Sequence, residues 1–157
     1  MKQAEWNEAR ERAIVAAHVK TPGGLLPALH ALQAEFGWIS KPAIALLAYE
    51  FNLSRAEVFG TASFYHDFRL EGPAGRHVLK LCRAEACQSV GGEKVAAAMK
   101  QHLNLNWNET SADGAWTLEP VFCLGLCASG PSAMIDGEPA ARLDAEKLTA
   151  ILDEVAR

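Results

Sequence analysis

The sequence contains no apolar run that approaches the roughly 20 residues needed for a membrane-spanning helix. It has no excess of basic residues either, because its formal net charge is -4, whereas a nucleic-acid-binding protein normally shows a basic face. The phosphate-binding motifs G-x-x-x-x-G-K-[ST] and G-x-G-x-x-G are both absent. We therefore expect no membrane span, no nucleic-acid partner, and no nucleotide or flavin bound to this chain alone.

The first 20 residues lack an uninterrupted apolar core and carry acids among their bases, so they do not read as a secretion signal. We therefore expect a cytoplasmic protein. Its 157 residues suit one ordinary domain, or a small domain with an accessory segment. Only four cysteines are present, and in a reducing compartment they more often bind a metal or take part in catalysis than form disulfides.

The first half of the chain, residues 1–70, has helical periodicity interrupted by clear breakers. It contains no cluster of titratable side chains, which predicts a small helical bundle that serves as scaffold or docking surface. The first predicted helix covers roughly residues 4–19. The second has Leu25, Leu29, Leu32 and Phe36 on one face and stops at Gly37. The third runs from an N-cap at Ser40 to Asn52, and the fourth begins at the capping-box pair Ser54 and Glu57.

The stretch "EGPAGR" at residues 71–76 is the predicted joint between two domains. Residues 76–157 then alternate between strand and helix patterns, which predicts a compact α/β unit. The predicted elements are a strand over "HVLKLC" that ends at Cys82, a helix over 92–103, a strand over "WTLEPVFC" in which Pro120 indicates an edge or an irregularity, a hairpin turned by Asp136 and Gly137, and a last helix over "DAEKLTAILDEVAR".

The four cysteines form two close pairs, each directly after or at the end of a predicted strand. Cys82 and Cys87 have the spacing C-x4-C, and after 35 intervening residues Cys123 and Cys127 have the spacing C-x3-C. Both gaps are wider than the C-x2-C knuckle common in structural zinc sites, and neither pair is the C-x-x-C of a thioredoxin-like redox motif. A zinc site, dithiol exchange, disulfides and inert buried thiols remain alternatives.

An iron–sulfur cluster suits this pattern better. A [2Fe–2S] cluster has two irons, each needing two terminal ligands, so two loops that each supply a pair of thiolates complete it. The plant-type spacing C-x4-C-x2-C is only half present, no histidine lies near either pair as a Rieske centre requires, and the four-iron run C-x2-C-x2-C is absent.

Taken together, these motifs resemble the thioredoxin-like [2Fe–2S] ferredoxins, in particular the small subunit of NADH dehydrogenase modules. That group includes the 24-kilodalton-type subunit of respiratory complex I, diaphorase subunits of NAD-linked hydrogenases, and the gamma subunit of soluble NAD-dependent formate dehydrogenases. The resemblance covers nearly the whole chain. It rests on the cysteine spacing, on "LLPALHALQAEFGWIS" and "VFGTASFYHDFR" in the helical half, and on "VFCLGLCASGPSAMIDGE" around the second pair.

The resemblance implies an α/β fold in which an N-terminal helical bundle precedes a thioredoxin-like [2Fe–2S] ferredoxin domain. It implies that Cys82 and Cys87 bind one iron and that Cys123 and Cys127 bind the other, with no catalytic residue on this chain. Backbone N–H groups of three glycines are expected to approach cluster sulfurs, and Arg83 to offset the cluster's negative charge or to lie solvated beside Glu85. The three glycines are Gly91, Gly92 and Gly125.

The first loop, "CRAEACQSVGG", and the "ASGPSA" after Cys127 most resemble the formate dehydrogenase gamma subunit. That likeness implies an electron-transfer subunit of an NAD-dependent molybdenum formate dehydrogenase. Its expected partners are a flavoprotein subunit, which carries FMN and binds NAD, and a molybdenum-containing large subunit. The equivalent subunit of complex I or of a hydrogenase diaphorase is the first alternative, and a zinc-stapled interaction module without redox chemistry is the second.

Overall fold

The computed structural model describes residues 7–156 and separates into two compact units, one ending at Pro73 and the other beginning at Ala74. Across those residues, no helix is long and apolar enough to cross a membrane. The first unit contains the helices α1 (Glu8–His18), α2 (Leu25–Phe36), α3 (Lys41–Glu50) and α4 (Arg55–Phe64). The second contains β1 (His77–Cys82), α5 (Glu85–Ser89), α6 (Gly92–Leu103), β2 (Glu109–Thr110), β3 (Trp116–Val121), β4 (Ala133–Ile135), β5 (Glu138–Ala140) and α7 (Ala145–Val155).

The four helices of the first unit form where the sequence predicts them, because each start and stop is encoded locally. Ser40 caps α3 through its hydroxyl, and Gly37 ends α2 in the left-handed conformation (φ 79°). The capping box of α4 is confirmed: Ser54 accepts from the Glu57 amide, and the Glu57 carboxylate accepts from the Ser54 amide. The first helix is predicted from about residue 4, and its opening residues lie outside the part of the chain described.

The core of the first unit is an apolar cluster drawn from all four helices. Burial of such side chains is the main favourable term in folding, at roughly 25 cal/mol per Å² of apolar surface. The fully or nearly fully buried members include Val15, Leu29, Leu32, Ile39, Leu47 and Val58.

The second unit is built on a five-stranded mixed sheet with the order β2-β3-β1-β4-β5. Strands β1 and β3 are parallel, and every other neighbouring pair is antiparallel. Helices α6 and α7 pack together and share an apolar core with the sheet, through residues such as Leu79, Leu118, Met99, Leu148 and Leu152. The predicted order of a helical bundle followed by an α/β unit is therefore confirmed.

The structure also corrects the predicted elements of the second unit. Strand β3 ends at Val121, two residues before Cys123, rather than at the cysteine itself. The short helix α5 and the two-residue strand β2 were not predicted. Pro120 does lie at an open edge of β3, because β2 pairs only with Thr117 and Leu118. Proline has no backbone N–H, and at this open edge no neighbouring strand would accept a hydrogen bond from one.

The hairpin predicted at Asp136 and Gly137 is confirmed, since β4 and β5 pair directly around it. Asp136 adopts φ 52° and Gly137 φ 93°, the left-handed conformations that a two-residue turn of this kind requires. The Asp136 carboxylate also accepts hydrogen bonds from the Val78 amide at 2.8 Å and from Nδ1 of His77 at 2.7 Å. One side chain therefore shapes the hairpin turn and ties it to the start of β1.

We expect Asp136→Ala to lower the free energy of unfolding by about 1–2 kcal/mol, because two hydrogen bonds are lost and alanine disfavours a positive φ. Asp136→Asn is the matched control. Asparagine tolerates the same φ and retains an acceptor for the Val78 amide, so less than half of the loss is expected. Urea unfolding of both variants measures the difference, and equal losses would contradict this account of the turn.

Candidate metal centre

The two cysteine loops meet because they leave the same edge of the sheet. β1 and β3 are parallel neighbours, and Cys82 at the end of β1 is in register with Val121 at the end of β3. Beyond that register the Arg83 amide still donates to the Val121 carbonyl, at 2.7 Å. Because the carboxyl ends of parallel strands lie side by side, the chain after Cys82 and the chain after Val121 begin as neighbours.

The first pair is buried. Cys82 is 4% exposed and Cys87 is 1% exposed. Helix α5 positions Cys87, whose amide donates to the Ala84 carbonyl at the start of the helix. The hydroxyl of Ser132 lies 3.4 Å from the Cys87 sulfur and is also buried.

The second pair is at the surface, where both Cys123 and Cys127 are exposed. Their sulfur atoms are 3.5 Å apart, too far for a disulfide, whose bond is about 2.0 Å long. Two thiolates on one tetrahedral metal, with metal–sulfur distances of about 2.3 Å, would lie about 3.8 Å apart. The Gly125 amide donates to the Cys123 sulfur at 3.3 Å. The spacing of this pair therefore suits shared coordination of one metal.

Hydrogen bonds across the two loops lower the pKa of the Cys82 thiol. Burial is the largest single influence on it and raises the pKa. Hydrogen bonds from four groups lower the pKa and outweigh the effect of burial, since donors stabilise a thiolate. These groups are the backbone at Ala84, the Cys87 thiol, and the backbone at Leu124 and Cys123. The thiolate form of Cys82, which is the form that binds a metal, is therefore favoured.

The pKa of Cys127 is raised, first by its hydrogen bond with Cys123, then by the charge of Cys123 and by burial, with further contributions from the charges of Cys87 and Cys82. The charges of the other three cysteines thus all act on the Cys127 thiol in the same direction. Clustered thiolates repel one another, and that repulsion is relieved when cations lie between them. The donor set, four soft thiolates, is also the one that iron–sulfur clusters select. The residues present fit a [2Fe–2S] group.

The four cysteines divide by burial into a buried pair and an exposed pair. Over residues 7–156, no three or more His, Cys, Asp or Glu side chains converge on a single point as they would around one metal ion. In a cluster with two irons, each iron requires two thiolate ligands from the protein. Two pairs of cysteines supply that number of ligands.

The second loop also holds a strained residue. Cys123 has φ 108°, a region that residues with a Cβ rarely adopt. Such strain persists only where the surrounding structure requires it, and it is concentrated at functional sites. The conformation brings the Cys123 sulfur to within 3.5 Å of Cys127 and places it over the Gly125 amide.

Of the three glycines expected to direct an N–H toward sulfur, only Gly125 is seen to do so. The Gly91 amide donates instead to the Gln88 carbonyl, at 3.1 Å, because the chain turns there between two helices. Gly92 lies close to the backbone of Cys87 instead, because a Cβ at this position would be 2.6 Å from the carbonyl oxygen of Cys87. Gly92 therefore allows α6 to begin directly against the residue that carries a sulfur of the buried pair.

Arg83 is not solvated beside Glu85. Its guanidinium pairs with Glu93 at 2.8 Å and lies 5.0 Å from the centre of the Trp107 ring, in a cation–π contact. Its Nε atom is buried without a hydrogen-bond partner. The positive charge is therefore held against the fold directly after Cys82, although Glu93 offsets part of it.

Two contributors to this site were not found from the sequence. Ser132 is one of two serines after Cys127, and nothing in "ASGPSA" distinguishes it from Ser129. Trp107 lies in a polar stretch far along the chain from the residue it contacts, Arg83. Neither contact has a sequence signal, because each depends on how loops distant in sequence pack together.

Comparisons with known proteins identify a matching family and several relatives. The sequence profile of the thioredoxin-like [2Fe-2S] ferredoxins matches residues 11–156. A subunit of the NADH-quinone oxidoreductase of Salmonella typhimurium is 34% identical over 128 residues, which is 82% of this chain and 76% of that protein. The subunit of the same name from Pseudomonas aeruginosa is 34% identical over 113 residues, which is 72% of this chain and 68% of that one.

A solved structure shows the same architecture. One chain of the NAD+-reducing [NiFe]-hydrogenase in the air-oxidized state superposes on 84% of this chain, with a TM-score of 0.72 and 28% sequence identity. This chain spans only 22% of that hydrogenase chain.

Proposed function

The chain belongs to the thioredoxin-like [2Fe-2S] ferredoxin family, and from this premise we propose that its cysteines hold one [2Fe–2S] cluster in an electron-transfer subunit. Cys82 and Cys87 bind one iron, and Cys123 and Cys127 bind the other. The observation that supports this assignment is the parallel pairing of β1 with β3, which starts the buried Cys82 and Cys87 loop beside the loop in which the Cys123 and Cys127 sulfurs are 3.5 Å apart. When bound, such a cluster accepts and releases one electron at a time.

The chain's own residues hold the cluster and give it an asymmetric environment. The buried pair is enclosed by α5 and by the chain around Ser132, whereas the second pair faces solvent. Phe122, 75% exposed, and Val90, 54% exposed, are apolar neighbours of these cysteines along the chain. A partner that covered this edge would bury apolar surface and exclude water from the cluster. We therefore place the electron-exchange partner at the exposed pair.

The proposed partner is a flavoprotein subunit with FMN and an NAD site, in a module of the NADH-dehydrogenase type. The relatives support this class, since their names describe NADH-quinone oxidoreductase and NAD+-reducing hydrogenase. Residues 1–70 are proposed as a separate docking domain and residues 76–157 as the cluster domain. Exposed aromatic side chains on and just after α4 support a docking role, namely Phe59, Phe64 and Tyr65.

Within this class we propose the gamma subunit of a soluble NAD-dependent formate dehydrogenase. The support is the likeness of "CRAEACQSVGG" and "ASGPSA" to that subunit. In this assignment a molybdenum-containing large subunit oxidises formate, the flavoprotein subunit reduces NAD, and this chain exchanges single electrons with the flavoprotein.

Metal analysis of the purified full chain tests the cluster assignment. About two irons and two acid-labile sulfides per chain, with a visible spectrum that dithionite bleaches, are expected. A colourless protein with one zinc per chain would overturn the assignment and favour the zinc-stapled module.

Purification of the native complex tests the subtype. Molybdenum in the complex together with formate-dependent NAD reduction is the expected result. NADH-dependent quinone reduction would assign the chain to a complex I type enzyme instead, and hydrogen-dependent NAD reduction would assign it to a hydrogenase diaphorase.

A further inference from the structure

The hydroxyl of Ser132 is sealed inside the fold beside one of the proposed ligands. Ser132 is 2% exposed and Cys87 is 1% exposed, and their Oγ and Sγ atoms are 3.4 Å apart. Burial of a hydroxyl without a hydrogen-bond partner is unfavourable, so this hydroxyl needs one. Within residues 7–156, the partner that the hydroxyl has is the Cys87 sulfur.

The direction of this hydrogen bond follows from the chemistry of a metal ligand. A ligating cysteine is a thiolate, which has lone pairs but no proton to give. The Ser132 hydroxyl must therefore donate, and the Cys87 sulfur must accept. This bond lies in a buried, low-dielectric environment, where a donor acts more strongly on nearby charge than one at the surface such as the Gly125 amide.

The sheet holds the serine in place. The Cys82 amide donates to the Ser132 carbonyl at 3.0 Å, and the next residue, Ala133, is in register with Leu81 of β1. A Cβ at Gly130 would lie 3.3 Å from the Cys87 sulfur, so the backbone that leads to Ser132 also packs against this cysteine. The donor is therefore fixed by backbone pairing on one side and by close packing on the other.

We propose that Ser132 raises the reduction potential of the cluster by donating this hydrogen bond to Cys87, an inference that rests on the ligand assignment proposed above. Reduction adds one electron and no proton, and the added negative charge is shared by the sulfurs. A donor to sulfur stabilises the reduced form more than the oxidised form, which raises the potential. The serine keeps its proton throughout and is a positioning residue rather than a catalytic one.

The test is an equilibrium redox titration of the full chain, followed by visible absorption and by the electron paramagnetic resonance of the reduced cluster. In Ser132→Ala, the ratio of oxidised to reduced cluster at a given ambient potential is expected to rise about tenfold, a shift of about 59 mV to more negative potential for one electron. Ser89→Ala is the matched control. It removes a hydroxyl two residues from Cys87 that donates to the Ala86 carbonyl instead, at 2.9 Å, so its potential is expected to equal that of the wild type.

The pair Ser132→Thr and Ser132→Val separates the hydroxyl from packing, since the two side chains have the same shape and only threonine has a donor. Threonine is expected to show the higher potential by a similar shift. Equal potentials in wild type and Ser132→Ala, or loss of the cluster from all three Ser132 variants, would overturn the role of Ser132 in setting the potential. Absence of a cluster from the wild-type chain would instead overturn the proposed function.

Discussion

Replacement of Cys87 with alanine is expected to abolish cluster binding, so that iron falls from about two per chain to near zero and the visible absorption bands disappear. Cys87 is the most deeply buried of the four cysteines, and alanine cannot replace the lost thiolate. The iron that it shares with Cys82 would retain one protein ligand. Iron and sulfide analysis after anaerobic reconstitution, with the visible spectrum, measures the effect.

Ser89→Ala is again the matched control, because it alters the same short helix α5 without removing a sulfur. Full iron content is expected in that variant. A Cys87→Ala protein with wild-type iron content and spectrum would show that Cys87 is not a ligand, and the assignment of the two pairs would then fail.

Gly92→Ala is expected to destabilise the second unit by about 3 kcal/mol and to reduce cluster occupancy with it. The added Cβ would lie 2.6 Å from the carbonyl oxygen of Cys87 and 2.9 Å from its carbonyl carbon. These are backbone atoms next to a proposed ligand, so relief requires a shift of α6 relative to α5. For a domain of this size the melting temperature should fall by roughly 10 °C or more.

Gly60→Ala is the matched control for the same substitution. Gly60 lies inside α4, and a Cβ there would have no atom within 4 Å. Alanine in a helix interior is favoured over glycine by about 0.5–1 kcal/mol, so a slight gain in stability is expected. Thermal unfolding followed by circular dichroism compares the two variants. A Gly92→Ala protein as stable as wild type would contradict the close approach at Cys87.

The helices of the first unit could be predicted because their signals lie within a few residues of each other. Ser54 and Glu57 identify the start of α4, and the apolar spacing of Leu29, Leu32 and Phe36 identifies the buried face of α2. The same holds for the hairpin at Asp136 and Gly137, where two residues specify the turn.

Helix α5 and strand β2 could not be predicted, because neither is stable on local grounds. α5 has five residues and no side-chain cap, and a helix this short depends on packing for its stability. β2 has two residues and forms only as a partner of β3. The end of β3 at Val121, rather than at Cys123, follows from the strained turn that leads into the second cysteine loop.

The sequence by itself determined which side chains make up the candidate site: four cysteines, in two pairs, each at or shortly after the end of a strand. Spacing along the chain is a local property, so it can be read without a fold. Only the tertiary structure decided that one pair is buried and the other exposed, that the Ser132 hydroxyl lies against the Cys87 sulfur, and that the Trp107 ring lies against the Arg83 guanidinium. Burial and hydrogen bonding between distant loops depend on the parallel pairing of β1 with β3, which places residues about 40 positions apart side by side.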